Sequence, residues 1–129
     1  MLGKAMDTED ANVAAAFEAF PAEVCAGLLG LRARIVAVAL AEHIELEESL
    51  RWGQPAYLAP KGSTIRLGAP KSGGFAIYTH CQTTLMSDFK AICPELNFEG
   101  NRAVHFTAGE APPEAIDFLI RAALTYHTA

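Results

Sequence analysis

The order of hydrophobic periods along the chain predicts an α+β domain: an antiparallel sheet with N-terminal helices, one inserted short helix and a C-terminal helix, packed mainly on one face. Three observations carry this. Up to about Glu42 the apolar residues recur every three or four positions. From Leu46 to Phe106 the spacing drops to two, broken by Gly and Pro turns and one short helical stretch. After Pro112-Pro113 the helical spacing returns.

Residues 1–9 are expected to fray. Asp10 is placed to cap a helix over Ala11–Ala19, which Phe20-Pro21 ends. Pro21 then opens a longer helix to about Glu42, because proline suits a first helical turn. Phe17, Phe20, Val24, Leu28, Leu31, Ile35 and Val38 trace one stripe across both helices. Gly27 and Gly30 interrupt it, each costing about 1 kcal/mol of helix propensity relative to alanine. Close packing is the alternative reason for them.

Leu46, Glu48, Leu50 and Trp52 share one face of an extended segment, with Glu47, Ser49 and Arg51 on the other. Gly53-Gln54-Pro55 reads as a turn, Tyr57–Ala59 as a strand, and Pro60-Lys61-Gly62 as another turn. Strands are expected at Thr64–Gly68 and Phe75–His80, joined by the loop Pro70–Gly74. Leu85, Met86, Phe89, Ile92 and Cys93 make Thr83–Cys93 a short amphipathic helix, closed by Pro94. Leu96–Glu99 and Arg102–Phe106 flank Gly100-Asn101, a two-residue hairpin signal. Pro112-Pro113 starts the last helix, with Ile116, Leu119, Ile120, Ala123 and His127 on one face.

Composition limits the function. The 129 residues suit one domain, and 51% hydrophobic residues can fill its core. Fifteen acidic residues against ten basic give a net charge of −5. Lys and Arg are scattered singly, so neither nucleic acid nor an anionic membrane is an expected partner. The partner is instead a small molecule or a protein, and a homodimer fits if an apolar sheet or helix face stays exposed. Three cysteines without tight spacing, and an N-terminus lacking a signal-peptide pattern, point to a reducing, cytoplasmic setting. Arg32 and Arg34 interrupt the longest apolar stretch, so no bilayer span is expected.

The stretches LRARI at 31–35 and EESLRWGQPAYL at 47–58 resemble the signature of the YdhG-like domains. STIRLGAPK (63–71), AIYTHCQTTL (76–85), FEGNRAVHF (98–106) and ALTYH (123–127) fit the same family, in its branch with His-Cys-Gln after the Ile-Tyr strand. The likeness covers about residues 11–128. Those domains have been compared with frataxins and labelled iron chaperones. The resemblance therefore implies a frataxin-like α+β fold and an iron-binding alternative, but no established reaction.

Glu48 is the most informative single residue. A carboxylate on the helix-facing side needs a partner, and Arg66, His80 and Arg102 are candidates. Either it pairs structurally at the sheet rim or it serves a site. Trp52, Gln54, Pro55 and Tyr57 combine a stiff turn with two amphipathic rings and an amide, fit either to line a pocket or to fix hairpin geometry. His80-Cys81-Gln82 ends a strand before a helix, whose N-terminus could activate the thiol. Adjacent strand residues point apart, however, so His80 is badly placed as its base, and an inert cysteine is the alternative.

His43, His80, His105 and His127 have no metal-ligand spacing. Glu42, Glu45 and Glu47 could supply part of an acidic ridge for iron, or remain solvated surface. Gly68–Gly74 with Lys71 departs from the phosphate-loop pattern and reads as a hairpin connection. Three functions remain. The favoured one is a non-catalytic module whose ligand meets Glu48, Trp52, Gln54, Tyr57, Arg66, Tyr78, His80, Cys81 and Arg102 between sheet and helices. Frataxin-like iron binding and a small enzyme using Cys81 or Glu48 are the alternatives.

Overall fold

The structure, a computed structural model, describes residues 10–128, so the fraying expected of residues 1–9 falls outside the described residues. Helix α1 (Ala11–Glu18) starts where Asp10 caps it, the carboxylate accepting from the Asn12 amide at 2.8 Å. Pro21 occupies the capping position of α2 (Ala22–Ala41). The predicted stripe is buried: Val13 and Phe17 on α1, and Val24, Leu28, Leu31, Ile35 and Val38 on α2.

Six strands follow: β1 (Glu47–Arg51), β2 (Gln54–Leu58), β3 (Ile65–Gly68), β4 (Phe75–Thr79), β5 (Asn97–Glu99) and β6 (Ala103–Phe106). Helix α3 (Leu85–Ile92) lies between β4 and β5, and α4 (Ile116–Leu124) closes the domain. All pairings are antiparallel, in the order β1-β2-β3-β4-β6-β5. The chain leaves β4 through α3, returns at the edge as β5, and inserts β6 beside β4. This is the α+β plan that the hydrophobic periods predict.

Alternation along each strand divides the sheet. Tyr57, Ile65, Leu67, Phe75, Ile77, Val104 and Phe106 face the helices and make the core with them. Ala56, Arg66, Ala76, Tyr78, Ala103 and His105 face the other way. There the small cluster Ala76–Tyr78–Ala103 is buried without a helix over it. Gly27 sets the approach of α2 to β4, since a Cβ there would lie 2.4 Å from the Phe75 ring. Gly30 has no such role: it is exposed, with no atom within 4 Å of a Cβ built there.

Several boundaries differ from the sequence reading, each for a local reason. The first turn is Trp52-Gly53, not Gly53-Gln54-Pro55. Both residues have positive φ, +52° and +77°, the pattern of a type I′ hairpin, and Gln54 and Pro55 already belong to β2. The second hairpin has three loop residues, Gly100-Asn101-Arg102, because Glu99 pairs with Ala103. The Asn101 amide there donates to the carbonyls of Cys81 (2.7 Å) and Thr83 (3.0 Å), tying this loop to the segment before α3. Pro113 through Ala115 make tight turns that lead into α4 rather than its first turn. His127 lies past the helix end, its amide donating to the Lys61 carbonyl at 2.8 Å.

Arg32 and Arg34 do not by themselves exclude α2 as a spanning segment, although the core helix of a soluble protein passes the same test. By length and composition α2 qualifies, with a mean hydropathy of 1.9 and one third of the window buried. Its arginines lie to the sides of the buried stripe and reach carboxylates on other elements. Arg34 donates to Asp117 at 3.0 Å and to the Glu114 carbonyl at 2.9 Å. Val36 and Leu40 on α2 and Phe118 on α4 stay exposed.

Candidate functional site

Glu48 faces the helices, as alternation predicts, but its partners are not Arg66, His80 or Arg102. Arg32 of α2 grips the carboxylate with two hydrogen bonds, Nε to Oε2 at 2.5 Å and Nη2 to Oε1 at 3.1 Å. Tyr57, directly opposite on β2, donates its hydroxyl to Oε2 at 2.6 Å. The two charged side chains are only 11% and 15% exposed. Fork-to-carboxylate geometry suits such a site, where an unpaired charge would be costly.

The cluster leaves a mark on the titration of its members. The hydrogen bond that it donates to Glu48 holds the Arg32 guanidinium above its usual value. Burial first, and then Glu48, push the Tyr57 phenol far above its ordinary 10.0. A phenol raised on folding contributes its full stability below the unfolded value and loses it as pH climbs toward the folded one. Stability is therefore expected to fall above about pH 10, by up to about 1.4 kcal/mol per pH unit for this one group. Urea titrations of wild type and Tyr57→Phe between pH 9 and 11 check this. A wild-type curve no steeper than the variant's would refute it.

Trp52 does not look into a hollow shared with Glu48. Strand alternation ends at Arg51, and the positive φ of Trp52 turns the indole onto the other face of the sheet. There it is 87% exposed. The Arg66 guanidinium lies over its ring at 5.3 Å and over the Tyr78 ring at 5.4 Å, so the cation on β3 meets two aromatic rings. Gln54 holds the guanidinium in place, accepting from Nη1 at 2.5 Å. The Gln54 amide in turn lies over Gly68, where a Cβ would meet Nε2 at 2.4 Å.

Around this stack opens a hollow of about 350 Å³, lined among others by Arg51, Trp52, Arg66, His80, Cys81 and Arg102. Of the nine candidate residues, then, seven gather on the helix-free face: these five candidates, with Gln54 and Tyr78 beneath. Glu48 and Tyr57 are the two that do not. Arg51 and Thr64, which also line the hollow, were not singled out from sequence. For Arg51 the signal was present, since it alternates with Glu48 and Leu50 and so shares a face with neither.

The charges around the hollow are lopsided. The chain has six arginines. Arg32, Arg34 and Arg121 pair with Glu48, Asp117 and Glu42. The other three line the hollow, and of these only Arg102 reaches a carboxylate among the described residues, Glu99 at 3.4 Å. Burial, and then the charge of Arg102, lower the pKa of Arg66 below its ordinary value. The site thus holds a cation short of counter-charge. Burial raises the Tyr78 phenol, with Glu99 adding to it, so the ring is a neutral neighbour.

The thiol, metal and loop readings gain less from the geometry. Cys81 is exposed, and α3 begins at Leu85, four residues after it. His80 accepts from the Gln82 amide through Nδ1 at 3.1 Å. Glu42 is committed to Arg121 at 3.2 Å, and no group of three or more His, Cys, Asp or Glu gathers to hold a metal among the described residues. Gly68–Gly74 joins β3 to β4 as a hairpin connection. Compared with known proteins, the chain matches no family model, no curated protein and no solved structure.

Proposed function

We propose that this chain is a non-catalytic binding module that holds a small anionic ligand on the helix-free face of its sheet. One observation carries the reading: half of the arginines are neutralised by carboxylates, and the other half converge on one hollow. Arginine forks recognise carboxylate or phosphate oxygens in paired geometry. The hollow's volume falls at the small end of ligand sites, which run from about 300 to 1,000 Å³. The net charge of −5 supports a small molecule over nucleic acid or an anionic membrane as partner. Three free cysteines support the cytoplasm, and the WGQPAY signature supports a YdhG-like domain. Iron binding through Glu42, Glu45 and Glu47 and catalysis by Cys81 or Glu48 have less support, since Glu42 and Glu48 are held by arginines.

The test uses the chain's single tryptophan, which sits in the hollow. Titration with acetate, benzoate, citrate and inorganic phosphate at low ionic strength is expected to change its emission for at least one of them. Arg66→Gln is expected to weaken that binding by roughly tenfold or more, the worth of a charge-assisted hydrogen bond. No emission or calorimetric response across the series would overturn the proposal.

A further inference from the structure

We infer that the anion bound here carries a planar aromatic ring, and that Trp52 is the platform on which the ring stacks. The inference rests on the anion-binding reading and narrows its ligand class. It starts from a residue in the wrong place for stability. Trp52 holds φ +52° in the first central position of a two-residue hairpin, where Asn or Gly is favoured and a bulky residue is strained. It is also 87% exposed, so burial does not compensate the strain. A large ring kept at a strained and solvated position is a mark of function rather than folding.

The surroundings say what the ring meets. Arg66 covers one side of the indole and is itself backed by Tyr78. An aromatic group stacking on the exposed indole brings a substituent anion within the reach of Arg51, Arg66 and Arg102, which line the same hollow. Stacking on Trp or Tyr supplies affinity that tolerates differences in ring identity, while the arginines fix the anionic end. A long polyanion fits less well, because Glu99 stands beside Arg102 at the rim and the chain as a whole is acidic. Aryl carboxylates and phosphates that carry an aromatic ring, nucleotides included, share the required chemistry.

Calorimetry on the whole chain separates these cases. Benzoate and 2-naphthoate are expected to bind at least tenfold more tightly than cyclohexanecarboxylate, an anion of like size and charge without the ring. Trp52→Asn places the favoured Asn-Gly pair in the hairpin. It is expected to melt no lower than wild type, to erase the aromatic preference, and to keep the affinity for cyclohexanecarboxylate. Adenosine 5′-monophosphate serves as the phosphate arm; tighter binding than 2-naphthoate assigns the ligand to phosphates that carry an aromatic ring, weaker binding to aryl carboxylates. Equal affinities for the aromatic and saturated acids would overturn this inference and leave the anion site standing. Absence of binding by every anion would remove both. A lower melting point for Trp52→Asn would assign the indole to hairpin stability, and tighter binding of oligo-dT than of the mononucleotide would replace the small ligand with a polymer. Either result overturns the inference.

Discussion

Glu48→Ala is expected to lower the unfolding free energy by about 3 kcal/mol, the low end for breaking a buried ion pair. The substitution removes an acceptor of two bonds from Arg32 and one from Tyr57, at a point where neither ion is more than 15% exposed. The guanidinium then keeps its desolvation without its bidentate counter-ion. A double-mutant cycle with Arg32→Ala, read by urea unfolding, should return a coupling well above the roughly 0.2–1 kcal/mol of an exposed pair. Coupling inside that range would mean that water reaches the pair freely. The triple replacement Arg32→Met, Glu48→Leu, Tyr57→Phe is expected to be far milder than Glu48→Ala alone. It removes the three mutually bonded polar groups together, rather than one from among the other two.

Gly74→Ala is expected to cost about 3 kcal/mol or more, because strain and collision add. Gly74 enters β4 at φ +73°, and a Cβ there would lie 2.1 Å from the Phe106 carbonyl oxygen, a backbone atom at the end of β6. Neither strand can retreat cheaply, since Phe75 and Phe106 are paired across the sheet and their rings meet in the core at 5.5 Å. Gly73→Ala is the internal control. Its φ of +104° is also unfavourable for alanine, but nothing lies within 4 Å of the added carbon. It should cost roughly 1–2 kcal/mol, the strain without the collision. Thermal unfolding that ranks the two variants equally would show that the strand ends have room to shift.

Most of the architecture was legible because each element carried its own local signal. Asp10 before a helix, Pro21 at its opening and the stripe through Leu28, Leu31 and Ile35 needed no tertiary information. The site was harder, and the two failures share a cause. Strand parity assigns Trp52 to the helix-facing side, yet parity holds only while φ stays extended, and the turn begins at Trp52 itself. The Trp-Gly pair could have revealed this, since glycine in the second position is the usual companion of a two-residue hairpin. By composition alone Arg32 is an interruption in an apolar helix. It sits one residue past Leu31 and four past Leu28, beside the buried stripe and within reach of β1. Which carboxylate it would meet depended on how the helix crosses the sheet, and no local pattern encodes that. The remaining candidates came together because they alternate onto one side of β2, β3 and β4 and the turn beyond.

The unequal treatment of the arginines makes the molecule electrically asymmetric. A body with five excess negative charges would be expected to repel an approaching anion from every direction. On the anion-binding proposal the arginine-lined window breaks that rule, so encounters would be funnelled through it and most orientations would be unproductive. The window's pull fades beyond about 10 Å at 0.1 M salt, whereas contact within the hollow is shielded far less. Added electrolyte should therefore slow capture more than it hastens release.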